Sequence, residues 1–223
     1  MDSLTTIFDK YNSDKNSSFH NYCRQYENLL RDYRTKPITF LELGVFRGES
    51  VKIWRDAFPN AKHIVGVDIN PECKSFENPD KSIFIEIGDA TDPSFIQYLN
   101  NKYGPFDIII DDASHTNKDV ILSFEQLFPL MNDDGLYIVE DTITYKSKAY
   151  IDQDYPNHLV YFAKYTPYLN QWRYDSTEGI RDVCVDPFKI QKKATNIFEA
   201  SIDLITYGVS FIAINKKIRK HWL

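Results

Sequence analysis

From Ile38 onward, short apolar runs alternate with longer stretches in which apolar residues recur every three or four positions. A continuous apolar run suits a strand buried on both faces, whereas a helix at a surface buries only a stripe, so this alternation predicts a mostly parallel sheet covered by helices. Residues 38–45 read as a first strand, 49–58 as a helix with Val51, Ile53, Trp54 and Phe58 on one side, and 63–69 as a second strand. A third strand is expected over 82–89, then a helix stopped by Gly104, then a fourth strand over 106–112 of nearly unbroken isoleucine. Residues 118–131 repeat Val120, Ile121, Phe124, Leu127 and Phe128 at helical spacing, and 135–141 predict a fifth strand. The last two β-rich runs, 202–208 and 209–216, leave no room for a crossover helix and must pair as an antiparallel hairpin. The pattern is that of an α/β protein with a seven-stranded sheet and helices on both faces, read here as one domain over 1–223.

Two stretches stand outside the alternation. The first 37 residues carry Tyr26, Leu29, Leu30 and Tyr33 at helical spacing and predict a helical preface packed on the sheet. Residues 142–186 are rich in tyrosine (Tyr145, Tyr150, Tyr155, Tyr161, Tyr165, Tyr168, Tyr174), with a helix expected near 158–164, and read as a cover over the sheet's active edge. Composition narrows the setting. With 43% hydrophobic and 15% aromatic residues the chain has a globular composition, and 26 basic against 32 acidic residues argue against a nucleic-acid partner. Cys23, Cys73 and Cys184 are scattered, with no zinc spacing, and read as reduced thiols. No leader pattern and no apolar run near the ~20 residues of a membrane span is visible, so a cytoplasmic protein is expected.

Sheets of this kind hold ligands outside the carboxyl ends of their strands, and here those ends are mostly acidic. After the first strand, Gly44 and Gly48 bracket a turn that opens a helix and lets a ligand approach the backbone, while Glu42 beside it suits a cationic ligand. Asp68 closes the second strand, where a carboxylate can accept hydrogen bonds from ribose hydroxyls. Gly88 and Asp89 close the third, where an acid can accept from an adenine amino group. A lone glycine after a strand is often a plain turn, so the set, rather than any member, carries the reading.

The fourth and fifth strands end in Asp111-Asp112-Ala113-Ser114-His115 and Glu140-Asp141. If these strands are neighbours, Asp112, Glu140 and Asp141 converge, and three crowded carboxylates repel unless a cation neutralises them. All offer hard oxygen ligands, which favours Mg2+ over zinc. His115, three residues past the first ligand, stands where a general base is needed, with an unperturbed pKa near ~6.5 suited to neutral pH.

The acids closing successive strands resemble those of the class I S-adenosylmethionine-dependent methyltransferases, and the resemblance covers nearly the whole chain. It implies a Rossmann-like class I methyltransferase fold in which the first loop faces the methionine part of the cofactor, the second acid the ribose and the third the adenine. Asp111-Asp112-Ala113-Ser114-His115 and Val139-Glu140-Asp141-Thr142 further resemble the DDxSH and (V/I)ED motifs of the metal-dependent macrolide-sugar O-methyltransferases of the mycinamicin type. Carried over, that resemblance implies Asp112, Glu140 and Asp141 as magnesium ligands, His115 as the base, and Asp111 on the cofactor side. The run Tyr11 to Lys15, followed by His20, Tyr22, Tyr26 and Glu27, resembles the (T/S)DK…H-x-Y-x-x-x-Y-E preface of those enzymes and adds Ser13 and Tyr22 as cofactor residues. Ala113 stands where the family usually has glycine. The function implied is S-adenosylmethionine- and Mg2+-dependent O-methylation of a small hydroxylated acceptor, a sugar in a nucleotide sugar, glycan or glycosylated natural product. A catechol or phenol methyltransferase and a non-catalytic nucleotide-binding protein of the same fold remain the alternatives, and assembly into a homo-oligomer stays open. A nicotinamide oxidoreductase would want a tighter glycine pair than Gly44 and Gly48.

Overall fold

The computed structural model describes residues 2–169 and 194–220, so Tyr174, Cys184, His221 and the far end of the tyrosine-rich stretch lie outside the described residues. The strands fall where the apolar pattern puts them: β1 (Thr39–Leu43), β2 (His63–Asp68), β3 (Ile83–Ile87), β4 (Ile108–Asp111), β5 (Leu136–Val139), β6 (Ile202–Gly208) and β7 (Phe211–Lys216). They are the seven strands of one mixed sheet, mostly parallel and closing in an antiparallel hairpin, as expected. The chain divides into two compact units that meet in the sequence between Ala113 and Ser114.

In the first unit β3-β2-β1-β4 run parallel in that order. Every residue of β1 and β4 is buried, which explains their lack of alternation. Around them lie α1 (Leu4–Phe8), α2 (Cys23–Leu30), α3 (Glu49–Ala57) and α4 (Pro93–Lys102). The helix α3 buries Val51, Ile53 and Trp54 as its periodicity predicts. Trp54 joins the preface to the sheet, because Phe8 and Tyr26 meet its ring edge-on at 5.4 and 5.2 Å while Phe40 of β1 lies 5.1 Å away. Burying such rings contributes a large share of apolar stabilisation, and the tilted contacts add to it.

In the second unit β7 pairs antiparallel with β5 on one side and β6 on the other. Its helices are α5 (Asn117–Leu130), α6 (His158–Ala163) and α7 (Ile197–Ser201). The expected stripe of α5 is buried, and Phe124 sits at its centre with Phe162 of α6 at 4.9 Å and Phe198 of α7 at 5.5 Å. The end of α5 is closed by a buried cation: Lys216 donates to the carbonyls of Phe128, Pro129 and Met131 at 3.0, 2.8 and 2.7 Å, satisfying acceptors that a helix C-terminus leaves open. Among the described residues, no helix is long and apolar enough to cross a membrane.

Candidate active site

The parallel register of the first unit aligns its strand ends. Leu43 pairs with both Val67 and Asp111, and Asp68 pairs with Ile87, so Gly44, Asp68, Gly88 and Asp112 reach the same carboxyl edge. Gly44 has φ of +91°, and a Cβ there would strike the backbone carbonyl of Asp112, so both its conformation and its neighbour require glycine. The loop that follows is tied to Asp68. Its Oδ2 accepts from the amides of Val45 and Phe46, each at 2.9 Å, and its Oδ1 from Asn70 at 2.8 Å. Burial works against the charge of Asp68, but these amides outweigh it and hold the carboxyl below its ordinary pKa.

Beside this loop opens a cleft of ≈ 360 Å³ lined by Ser13, Lys15, Gly44, Phe46, Arg47 and Asp112, among others. Lys15 is only 2% exposed, and its ammonium is paired with the Asp112 carboxylate. Next to the cleft, fully buried Glu42 accepts from Trp54 Nε1 at 2.8 Å and Ser50 Oγ at 2.7 Å. Burial pushes its pKa up to about 7 against the opposing pull of Lys15 and the two hydrogen bonds. Two carboxyl groups and one ammonium thus lie at this edge. In the sequence Lys15 stands out only as part of a motif, with no role of its own; its burial is the signal that sequence does not carry.

The remaining expected cofactor residues do not line that cleft. Tyr22 is buried, with its ring edge-on to His20 and Tyr26 at 5.3 and 6.3 Å. Asp89 is exposed and accepts from the amide and hydroxyl of Thr91 at 2.8 and 2.7 Å, closing a turn after β3. Asp111 is buried at the end of β4.

In the second unit two of the expected site residues come on strained backbone. His115 and Asp141 are non-glycine residues in the left-handed region, with φ of 57° and 49°. Each such conformation costs about 1–3 kcal/mol and survives where the surroundings over-determine it. Here they do. Thr144 donates its hydroxyl to the His115 carbonyl at 3.1 Å, the Thr142 amide donates to Ser210 O at 3.0 Å, and buried His158 places Nε2 3.0 Å from the Thr142 carbonyl. Burial lowers the pKa of His158, which favours the neutral ring with its proton on Nε2. The outcome is an imidazole and a carboxylate side by side, His115 Nε2 lying 3.9 Å from Asp141 Oδ2. Glu140, just before, is 2% exposed. Ser114 of the first motif is a helix-start residue, donating to Asp119 Oδ2 at 2.6 Å, while Thr116 caps α5 by accepting from the Asp119 amide.

Residues 41–142 match the family model of a methyltransferase domain. Demethylmacrocin O-methyltransferase of Streptomyces fradiae is 34% identical over 148 residues, which are 63% of this chain and 36% of that protein. Mycinamicin VI 2''-O-methyltransferase of Micromonospora griseorubida is 35% identical over the same length and shares. Among solved structures, the MycE methyltransferase from the mycinamycin biosynthetic pathway, in complex with Mg and SAH, superposes with a TM-score of 0.81 at 26% identity, over 98% of this chain and 55% of that one. The chain therefore spans about half the length of that structure, and its match spans about a third of those curated relatives.

Proposed function

We propose, for a chain that has the class I methyltransferase fold and resembles the macrolide-sugar O-methyltransferases, that it transfers a methyl group to a sugar hydroxyl of a glycosylated natural product. The cofactor, S-adenosylmethionine, brings a methyl group on a sulfonium that needs no further activation. Ser13, Glu42, Gly44 and Asp68 would hold it, with Gly88, Asp89, Asp111 and Tyr22 completing its surroundings. Support for the fit comes from Ser13 and Gly44, which line the cleft, and from Asp68, which ties down the loop beside it.

Asp112, Glu140 and Asp141 would hold Mg2+, whose contribution is to lower the pKa of a hydroxyl bound to it. Their donors are all carboxylate oxygens, the chemistry Mg2+ prefers. His115 takes the hydroxyl proton on Nε2. The Thr144 contact keeps the ring's backbone in place, 3.9 Å from Asp141. Position and orientation account for most of the rate. The described cysteines, Cys23 and Cys73, are free and buried, which fits a cytoplasmic setting.

The observation that carries this reading is the pairing of His115 and Asp141, two strained residues at the motif positions. The test is methyl transfer from labelled cofactor to demethylmacrocin, mycinamicin VI and catechol, with Mg2+ or excess chelator. Transfer to a glycosylated macrolide is expected with Mg2+, lost with chelator, and about 10²- to 10⁴-fold slower in His115→Ala. Full turnover in chelator would overturn the metal assignment, and transfer to catechol alone would move the enzyme to phenolic acceptors. No binding of S-adenosylhomocysteine in a titration would remove the methyltransferase reading altogether.

A further inference from the structure

The tyrosine-rich stretch places one ring against the base. Tyr150 has its ring centroid 6.3 Å from that of His115, at an interplanar angle of 55°. Its neighbours hold it there firmly. Asn117, two residues after His115 and 2% exposed, grips the chain beyond Tyr150 with four hydrogen bonds: Oδ1 accepts from the Asp152 amide at 2.7 Å, and Nδ2 donates to the carbonyls of Asp152, Tyr155 and Pro156 at 2.9, 2.8 and 3.2 Å. The turn carrying the ring is closed by the Tyr150 amide on Ser147 O at 3.0 Å. Backbone on both sides of Tyr150 is thus fixed relative to the start of α5, where His115 sits.

Tyr150 itself does little for that scaffold. Its ring is only half-buried, and its hydroxyl makes no hydrogen bond among the described residues. Tyr161 differs on both counts, since that tyrosine is buried and donates to Glu125 at 2.6 Å. A structural tyrosine looks like Tyr161. Ile151, beside Tyr150, is 43% exposed and extends the apolar surface.

We infer that Tyr150 is the acceptor platform: a pyranose ring lies its apolar C–H face on Tyr150 and so presents a hydroxyl to His115. This rests on the function proposed above and narrows it, because the face of an aromatic ring beside the base suits an acceptor that points axial C–H bonds at it and carries a hydroxyl at its rim, as a pyranose does. A ring tilted against the imidazole, rather than stacked on it, leaves its own face for the acceptor, and aromatic contacts of this kind contribute a modest, ring-dependent share of affinity.

The test uses the full chain with Mg2+ and S-adenosylhomocysteine, and methyl α-L-rhamnopyranoside and catechol as probes, followed by saturation-transfer NMR. The pyranoside should bind the parent protein, about three- to tenfold more weakly to Tyr150→Ala, and within about twofold of the parent to Tyr150→Phe. Titration of S-adenosylhomocysteine should give the same affinity for all three proteins, which a general structural defect would not. Unchanged pyranoside binding in Tyr150→Ala, equal losses of pyranoside and cofactor binding, or binding of catechol without the pyranoside would each overturn the inference. Failure of the parent to bind S-adenosylhomocysteine would instead overturn the function on which it rests, and the acceptor platform with it.

Discussion

Asp68 illustrates how one side chain can serve a ligand by first serving the loop around it. Its two oxygens collect the amides of Val45, Phe46 and Asn70, so the acid organises the turn after β1 whether or not a ligand is bound. A charge-assisted bond contributes on the order of 1.5–3 kcal/mol, so Asp68→Ala should weaken S-adenosylhomocysteine binding by roughly ten- to a hundredfold in a calorimetric titration. Asp68→Asn, which keeps one acceptor oxygen for the Val45 and Phe46 amides, should lose less; unchanged affinity in the alanine variant would take Asp68 out of the site. Glu42 poses the opposite case, a carboxyl raised to about 7 by burial. Its folded pKa lies above the unfolded value, so the folded chain keeps a proton that the unfolded chain has released, and stability falls as pH climbs from about 4.5 to 7. Glu42→Gln removes that slope. Relative to the parent, the variant should gain on the order of 1 kcal/mol of stability for each pH unit climbed within that window, in urea titrations at pH 5 and about pH 7. Equal stability differences at both pH values would show that Glu42 does not hold the proton.

At the scale of elements, the start of α5 joins the first motif to the tyrosine-rich stretch through Asn117. Four hydrogen bonds from one buried amide are hard to replace, and each buried partner left unsatisfied costs about 1–3 kcal/mol. Asn117→Ala should therefore destabilise the protein by a few kcal/mol in denaturant titration and raise amide exchange over 152–155 well beyond that in β7, whereas uniform exchange throughout would show that the contact is not local. The strands were legible in the sequence because buried parallel strands leave unbroken apolar runs, and α3 and α5 because their stripes repeat over several turns. The five-residue helices α1 and α7 were not, since one turn and a half is too short for periodicity to show. His115 and Asp141 were singled out in the sequence by their motifs, while the positive φ that sets their geometry was not legible there. Lys15 and Asn117 escaped for a related reason: their partners lie 97 and 35–39 residues away, and nothing local in the sequence announces such pairings.

For the molecule as a whole, ligand binding and folding are linked wherever the cleft's walls come from distant parts of the chain. S-adenosylhomocysteine at a hundred times its dissociation constant should raise the unfolding free energy by about 2.7 kcal/mol, read as an upward shift of the thermal midpoint; no shift at saturation would mean that the ligand does not favour the folded form. The Lys15–Asp112 pair has a consequence for how the protein is made. The two residues are separated by 97 positions, and at roughly 5–20 residues per second a ribosome needs about 5–20 s to travel between them. Throughout that interval the nascent preface already carries its ammonium while one of the two acids that surround it has yet to be synthesised. The cleft is therefore among the last features of its unit to be completed during translation, and a chain arrested before Asp112 cannot complete it at all.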